Sequence, residues 1–197
     1  MVEAPRMDIP KLAPEAYRHL AALERTIAGK IDPKLYHLIK LRASQINGCA
    51  FCIAMHTDEA LRDGERLERV VLLDAWEESS LYTDEERAAL EWVEDVTLIA
   101  DTHAPRESFD KLREHFPEEQ VAWLTLAATM INTWNRIAIS SRSQYDRADS
   151  SGGWAKRRWA SPPSSRSRDR GGTPSASAPA RPAGSPQGPL RPAPAAR

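Results

Sequence analysis

The sequence predicts an all-α fold, and three observations predict it. Apolar residues recur at spacings of three and four from about Pro14 to Ser140. The breaks between these runs carry helix start and stop residues: Gly29, Asp32-Pro33, Asn47-Gly48, Gly64, Thr83, Pro105 and Pro117. No run alternates convincingly as a strand, and short apolar stretches such as Val70–Leu73 sit inside helical periodicity. Six to seven helices are expected.

The first runs over Pro14–Ile27, with Ala16, Leu20, Leu23 and Ile27 on one face, and stops at Gly29. Asp32 caps the second and Pro33 occupies its first position, where a missing N–H costs nothing. Leu35, Leu38, Ile39 and Ile46 mark its buried side, joined by the aliphatic stem of Arg42. Asn47-Gly48 breaks it. A third helix begins around Cys49–Phe51 and runs to Arg62, with Gly64 past its end. A fourth covers roughly Arg66–Glu77. Thr83-Asp84-Glu85-Glu86 is a capping box opening a fifth, which carries Ala89, Trp92, Val93, Val96 and Ile99 on one stripe. Pro105 starts a sixth, to Phe116. Pro117 starts a seventh, Glu118–Ile139, apolar on much of its circumference and therefore central.

Composition divides the 197 residues in two. Residues 151–197 hold nine Lys and Arg and one Asp, whereas residues 1–150 hold 18 basic and 27 acidic side chains. The net charge of −1 thus hides an acidic body and a basic tail. The tail also has 9 of the 15 prolines and 6 of the 9 glycines, so it lacks the apolar surface to offset its ordering entropy. We expect a helical domain over residues 1–147 and a disordered Pro/Ser/Arg-rich tail over 148–197. An acidic body argues against nucleic acid as a partner, because phosphate contacts need a Lys/Arg surface. The longest nearly apolar run, Val121–Ile131, is about half of what a bilayer requires, and Met1–Pro14 has no apolar core of a signal peptide. A cytoplasmic location and no membrane are expected.

The only cysteines, Cys49 and Cys52, are separated by two residues. Such a short loop constrains little of the unfolded chain, so redox or metal chemistry is the better use of the pair. Gly48 permits a sharp turn, after which both thiols fall at the first turn of a helix. Unpaired N–H groups and the positive end of the dipole there favour a thiolate. His56 follows Cys52 by four residues, on the same helix face, where an imidazole can take up the thiol proton. Three alternatives stand at this point: a dithiol centre, a zinc site, or small buried residues beside a core histidine. A structural zinc site wants four ligands, and His103 and His115 lack ligand spacing. A thioredoxin-type arrangement needs a strand before the cysteines, and Pro33–Ile46 reads as a helix. Ser44, Gln45 and Asn47 could bond near a thiolate or serve the turn. Trp134 reads as core or subunit interface, Arg136 as the partner of an acidic residue across an interface. Glu85, Glu86, Glu91, Glu94 and Asp95 read as a solvated face.

The segment LRASQINGCAFCIAMH, Leu41–His56, resembles the signature of the AhpD-like alkylhydroperoxidases of the carboxymuconolactone decarboxylase superfamily. The segments Glu77–Trp92 and Ile131–Ile139 are similar to later parts of one branch, and the resemblance spans about residues 10–145. It implies an all-helical AhpD-like domain assembled as a dimer, trimer or hexamer. It implies a peroxidase acting on organic hydroperoxides, with an external thiol as reductant and neither metal nor organic cofactor. Cys52 matches the peroxide-attacking thiol, Cys49 its resolving partner and His56 the proton-relay histidine. The family's relay glutamate position is His37 here, a possible second relay member. Phe51 between the cysteines replaces a residue that is polar in some members, which favours an organic hydroperoxide. A redox sensor using the same dithiol without turnover, or a decarboxylase-like enzyme sharing the fold, are the competing expectations.

Overall fold

A computed structural model describes residues 3–145. The expected tail over 148–197 lies outside them. Among the described residues there are helices and no strands: α1 (Ile9–Leu12), α2 (Pro14–Ala28), α3 (Pro33–Ile46), α4 (Ala50–Arg62), α5 (Leu67–Val71), a 3-10 segment (Leu72–Glu78), α6 (Asp84–Thr97), α7 (Ile99–Thr102), α8 (Arg106–His115) and α9 (Glu118–Ser141). None is long and apolar enough to cross a membrane.

The predicted caps form. Asp32 Oδ1 accepts the N–H groups of Lys34 at 3.0 Å and Leu35 at 3.1 Å, which starts α3 behind Pro33. Thr83 and Glu86 exchange side-chain and backbone hydrogen bonds of 2.9 and 3.2 Å at the start of α6. The helix expected over Arg66–Glu77 divides instead. Ala75 leaves helical geometry at φ −121°, ψ 34°. The carbonyls that the helix gives up are taken by Arg87, which donates to Trp76 O, Glu77 O and Ser79 O. The turn also points the Trp76 indole N–H at Glu94, 2.6 Å away.

α3 lies at the centre, packed against α4, α6 and α9. Seven consecutive residues, Leu35–Leu41, are buried, so the helix has little solvent face. One apolar cluster joins α3 to α6, α8 and α9 through Ile39, Val93, Leu112, Leu124 and Ile131. A second joins the other side of α3 to α4, the 3-10 segment and α6 through Leu38, Leu41, Ala60, Leu73 and Leu90. The acidic run on α6 is not uniformly solvated. Glu86 pairs with Arg69 at 2.6 Å, and Glu94 pairs with Arg42 at 2.6 Å, all four largely covered. The reason is that α6 is buried against α3, and its carboxylates meet the guanidinium groups of Arg42 from α3 and Arg69 from α5.

A polar knot crosses this apolar interior. The Asn47 amide donates to Asn132 Oδ1 at 3.0 Å, Asn135 Oδ1 at 2.9 Å and Ala43 O at 2.9 Å. Asn135, fully buried, donates to Ser44 Oγ at 3.0 Å, and Asn132 donates to Thr97 Oγ1 at 2.9 Å. Arg136 bonds the Asn132 side chain at 2.8 Å. Three helices are thereby locked in register at the end of α3. Truncating Asn135 removes two buried hydrogen bonds, one to the Asn47 amide and one to Ser44 Oγ, and leaves a void at a fully buried position. Asn135→Ala is expected to lower unfolding stability by about 2–3 kcal/mol in urea denaturation, against about 0.5 kcal/mol or less for exposed Ser140→Ala.

Candidate active site at the start of α4

The turn between α3 and α4 is built from the chain's own hydrogen bonds. Gly48 takes φ +66°, a conformation that other residues rarely adopt. Its N–H bonds Gln45 O at 3.0 Å, and the Cys49 N–H bonds Ser44 O at 3.0 Å. This is a Schellman ending of α3. Cys49 is at the same time the N-cap of α4: its carbonyl accepts the Ile53 N–H at 2.8 Å, and its sulfur lies 3.4 Å from the Cys52 N–H. One residue thus closes one helix and opens the next, which fixes the sulfur at the dipole's positive end. Ser44 and Asn47 serve this turn, as Ser44 Oγ donates to Lys40 O at 2.7 Å.

Cys49 and Cys52 are paired, with Cα atoms 5.3 Å apart, and each residue is 1% exposed. They form a small apolar cluster with Ala138, against which Phe51 and Ile139 pack. Cys49, and not Cys52, lines a cavity of about 360 Å3 that also includes Phe51, Ala138, Ile139 and Arg142.

His56 is 4% exposed, one turn beyond Cys52. Its Nδ1 lies 2.8 Å from Glu59 Oε2, and its Nε2 is buried without a hydrogen-bond partner. Burial, then the Lys40 charge, push the His56 pKa down to about 4, against the opposing pull of Glu59. Burial opposes ionisation of Glu59, but the His56 hydrogen bond and the positive charges beside it hold the carboxyl down at about 2. Lys40 Nζ stands 3.4 Å from the same Glu59 oxygen and 4.4 Å from the centre of the Tyr36 ring. The Tyr36 hydroxyl donates to Glu24 at 2.5 Å, and Trp134 Nε1 donates to Glu24 at 3.2 Å. At neutral pH His56 is therefore an uncharged imidazole. Donation from Nδ1–H to Glu59 leaves Nε2 as the basic nitrogen.

His37 is near this group without bonding to it. Its Nε2 is 2.7 Å from Asp63 Oδ2 and its Nδ1 is buried without a partner. It lies close enough for its charge to lower the His56 pKa. His37, Lys40, His56 and Glu59 line one cavity of about 330 Å3 between α2, α3 and α4. The structure brings Cys49, Cys52 and His56 together on the first turns of α4, and sets His37 in the cavity beside His56 and Glu59, bonded to Asp63. The residue that sequence reasoning missed is Glu59. Its signal was the spacing of three from His56, which puts both on one helix face. Among the described residues, no group of three or more His, Cys, Asp or Glu is placed to hold a metal ion.

Comparison with known proteins agrees with this architecture. Residues 13–95 match the carboxymuconolactone decarboxylase family. The uncharacterized protein YdfG of Bacillus subtilis (strain 168) is 43% identical over 136 residues, 68% of this chain and 92% of the relative. A crystal structure of ATU0492 from Agrobacterium tumefaciens is 46% identical and superposes with a TM-score of 0.71, covering 73% of this chain and 99% of that one. That protein is of unknown function and has been suggested to be the antioxidant defence protein AhpD. The debrominase Bmp8 shares the fold at 22% identity, with a TM-score of 0.62 over 70% of this chain and 75% of its own. With the helical order, the Cys-x-x-Cys turn and these relatives in agreement, the chain belongs to the carboxymuconolactone decarboxylase family and has its AhpD-like fold.

Proposed function

We propose that this protein is a thiol peroxidase reducing organic hydroperoxides through a Cys49–Cys52 dithiol/disulfide cycle. The observation that carries the reading is the cysteine pair at the start of α4, already within disulfide reach, with an uncharged His56 one turn on whose Nε2 has no hydrogen-bond partner. Cys52 gives its proton to His56 Nε2 and attacks the terminal oxygen of the hydroperoxide. The O–O bond breaks, the sulfur is oxidised to a sulfenic acid, and the departing alkoxide takes the proton as an alcohol. Cys49 then displaces water from the sulfenic sulfur to form the disulfide. An external thiol returns the pair to the dithiol. Glu59 holds the His56 tautomer, and His37 with Asp63 provides a second proton acceptor at the cavity side. Cys52 is 1% exposed, so its meeting with peroxide requires the surrounding side chains to move.

A homo-oligomer acting in the cytoplasm belongs to the same reading. Leu67, Val71 and Leu72 are exposed on and just after α5, and subunit contacts would cover such residues. Light scattering of the full chain is expected to give a multiple of 22.0 kDa, and a monomer at micromolar concentration would remove this part of the proposal.

The fully reduced protein treated with one equivalent of cumene hydroperoxide should lose both thiols and two hydrogens of mass. With a small thiol present it should consume many equivalents, and Cys52→Ser should reduce that turnover by about 100-fold or more. Stoichiometric oxidation without turnover would favour a redox sensor instead.

The protonation state of His56 is measurable directly. Its NMR titration midpoint should lie near 4. The unfolded chain takes up that proton near the usual 6.5 and Glu59's near 4.5, so stability is full above 6.5. It should fall as pH drops from 6.5 to 4, through His56, and further towards 2, through Glu59. His56→Gln should flatten the upper part of that curve.

A further inference from the structure

The two cysteines are equally buried but not equally placed, because only Cys49 borders the cavity at the turn. We propose that Cys49 is the sulfur that exchanges with the external reductant, and that this cavity receives a small-molecule thiol. The proposal rests on the dithiol cycle of the preceding section but not on peroxide as its oxidant.

Geometry selects the sulfur. An incoming thiolate must approach the attacked sulfur opposite the bond that breaks. Cys49 lines the cavity from which a thiol can come, whereas Cys52, within the first turn of α4, does not line it. Cys52 is the leaving sulfur, and what sets it apart from Cys49 is His56, one turn further along α4, beside which its departing charge can be neutralised.

The cavity's walls and rim select the class of thiol. Its volume, about 360 Å3, falls within the range of small-ligand sites. Phe51, Ala138 and Ile139 give it apolar walls. The rim is tied across by the N-terminal segment: Arg142 Nε bonds Glu3 Oε2 at 3.1 Å, Gln144 donates to Glu3 O at 3.0 Å, and the Arg6 N–H bonds Ser141 O at 2.9 Å. A cysteine borne on a folded protein would have to bring its backbone past this rim to reach a sulfur that is 1% exposed. A free thiol of a few heavy atoms does not.

The step balances with two equivalents of thiol. The first, as thiolate, bonds to Cys49 sulfur and breaks the Cys49–Cys52 bond. The Cys52 thiolate receives the proton that the incoming thiol released, through His56. A second thiolate attacks the outer sulfur of the mixed disulfide, which frees Cys49 and releases the reductant as its disulfide. Two electrons pass from the two thiols to the protein pair, and the second proton ends on Cys49.

The test uses the full chain without peroxide. Each single-cysteine variant, Cys52→Ser and Cys49→Ser, is mixed with 4,4′-dithiodipyridine, and thiopyridone release is followed by absorbance, with mixed disulfides identified by mass. Cys49 in the Cys52→Ser protein should react at least about tenfold faster than Cys52 in the Cys49→Ser protein, and the two should become equal in guanidinium chloride. Equal native rates, or a faster Cys52, overturn the assignment. Ile139→Trp in the otherwise native chain fills the cavity. It should slow reduction of the disulfide by 2-mercaptoethanol at least about tenfold with helicity retained, and an unchanged rate in a folded Ile139→Trp protein overturns the cavity as the thiol's seat. A protein that exchanges thiols as described and still fails to turn over hydroperoxide would refute the peroxidase reading alone.

Discussion

The geometry of the site hangs on one backbone junction, where Cys49 ends α3 and begins α4. Its N–H closes the Schellman bond to Ser44 O while its carbonyl receives Ile53 N–H, so both helices are anchored to a single residue. Gly48 makes this possible by taking φ +66°. A Cβ at Gly48 would meet no atom within 4 Å, so the demand for glycine there is conformational rather than steric. A left-handed backbone costs other residues about 1–2 kcal/mol, a modest sum beside the consequences of a displaced sulfur. The knot of Asn47, Asn132 and Asn135 then ties this junction to α9, the helix that supplies the opposite wall of the thiol cavity.

Around the junction the competing effects are desolvation and charge pairing. His56 beside a carboxylate at 2.8 Å would ordinarily gain a proton more readily than in water. Here burial wins, and Lys40, whose ammonium shares the same Glu59 oxygen, adds to it. The carboxylate's charge is already balanced by lysine, so it orients the imidazole rather than charging it. The result is a buried base with a defined tautomer. Tyr36, paired with Glu24, is held well above the usual phenol range by burial and by that carboxylate, so it stays a hydroxyl donor and leaves Lys40 as the cation of the group.

Local chemistry was legible in the sequence wherever a short motif carries its own reason. Asp32-Pro33, Thr83-x-x-Glu86 and Asn47-Gly48 all act as punctuation, and the cysteines fall at the first turn of α4 that Gly48 implied. What escaped the sequence depends on distant side chains. Glu94 looked solvated because nothing along α6 shows that Arg42 and Trp76 come to it. The break at Ala75 depends on Arg87, twelve residues later, accepting the job of capping freed carbonyls. His37 stood out by alignment with the family's relay position, yet its ring reaches Asp63, and the carboxylate on His56 comes from α4 itself. Glu59 was visible at helical spacing, but choosing it over Asp58 or Asp63 required knowing which side of α4 is buried.

The outcome of this arrangement is a helix with two working sides. At its start Cys49 meets a cavity walled by Phe51, Ala138 and Ile139 and rimmed by Glu3, Arg142 and Gln144. One turn beyond Cys52, His56 meets a polar cavity with Lys40, Glu59 and His37. Cys52 lines neither cavity. In the proposed cycle, sulfur exchange and proton exchange use different openings. A thiolate leaving from Cys52 can be neutralised from behind without water entering at the sulfur. That separation also explains why the histidine sits four residues after the second cysteine rather than the first: from Cys49 a residue one turn on would be Ile53, which packs against the core with Leu73 and Leu90.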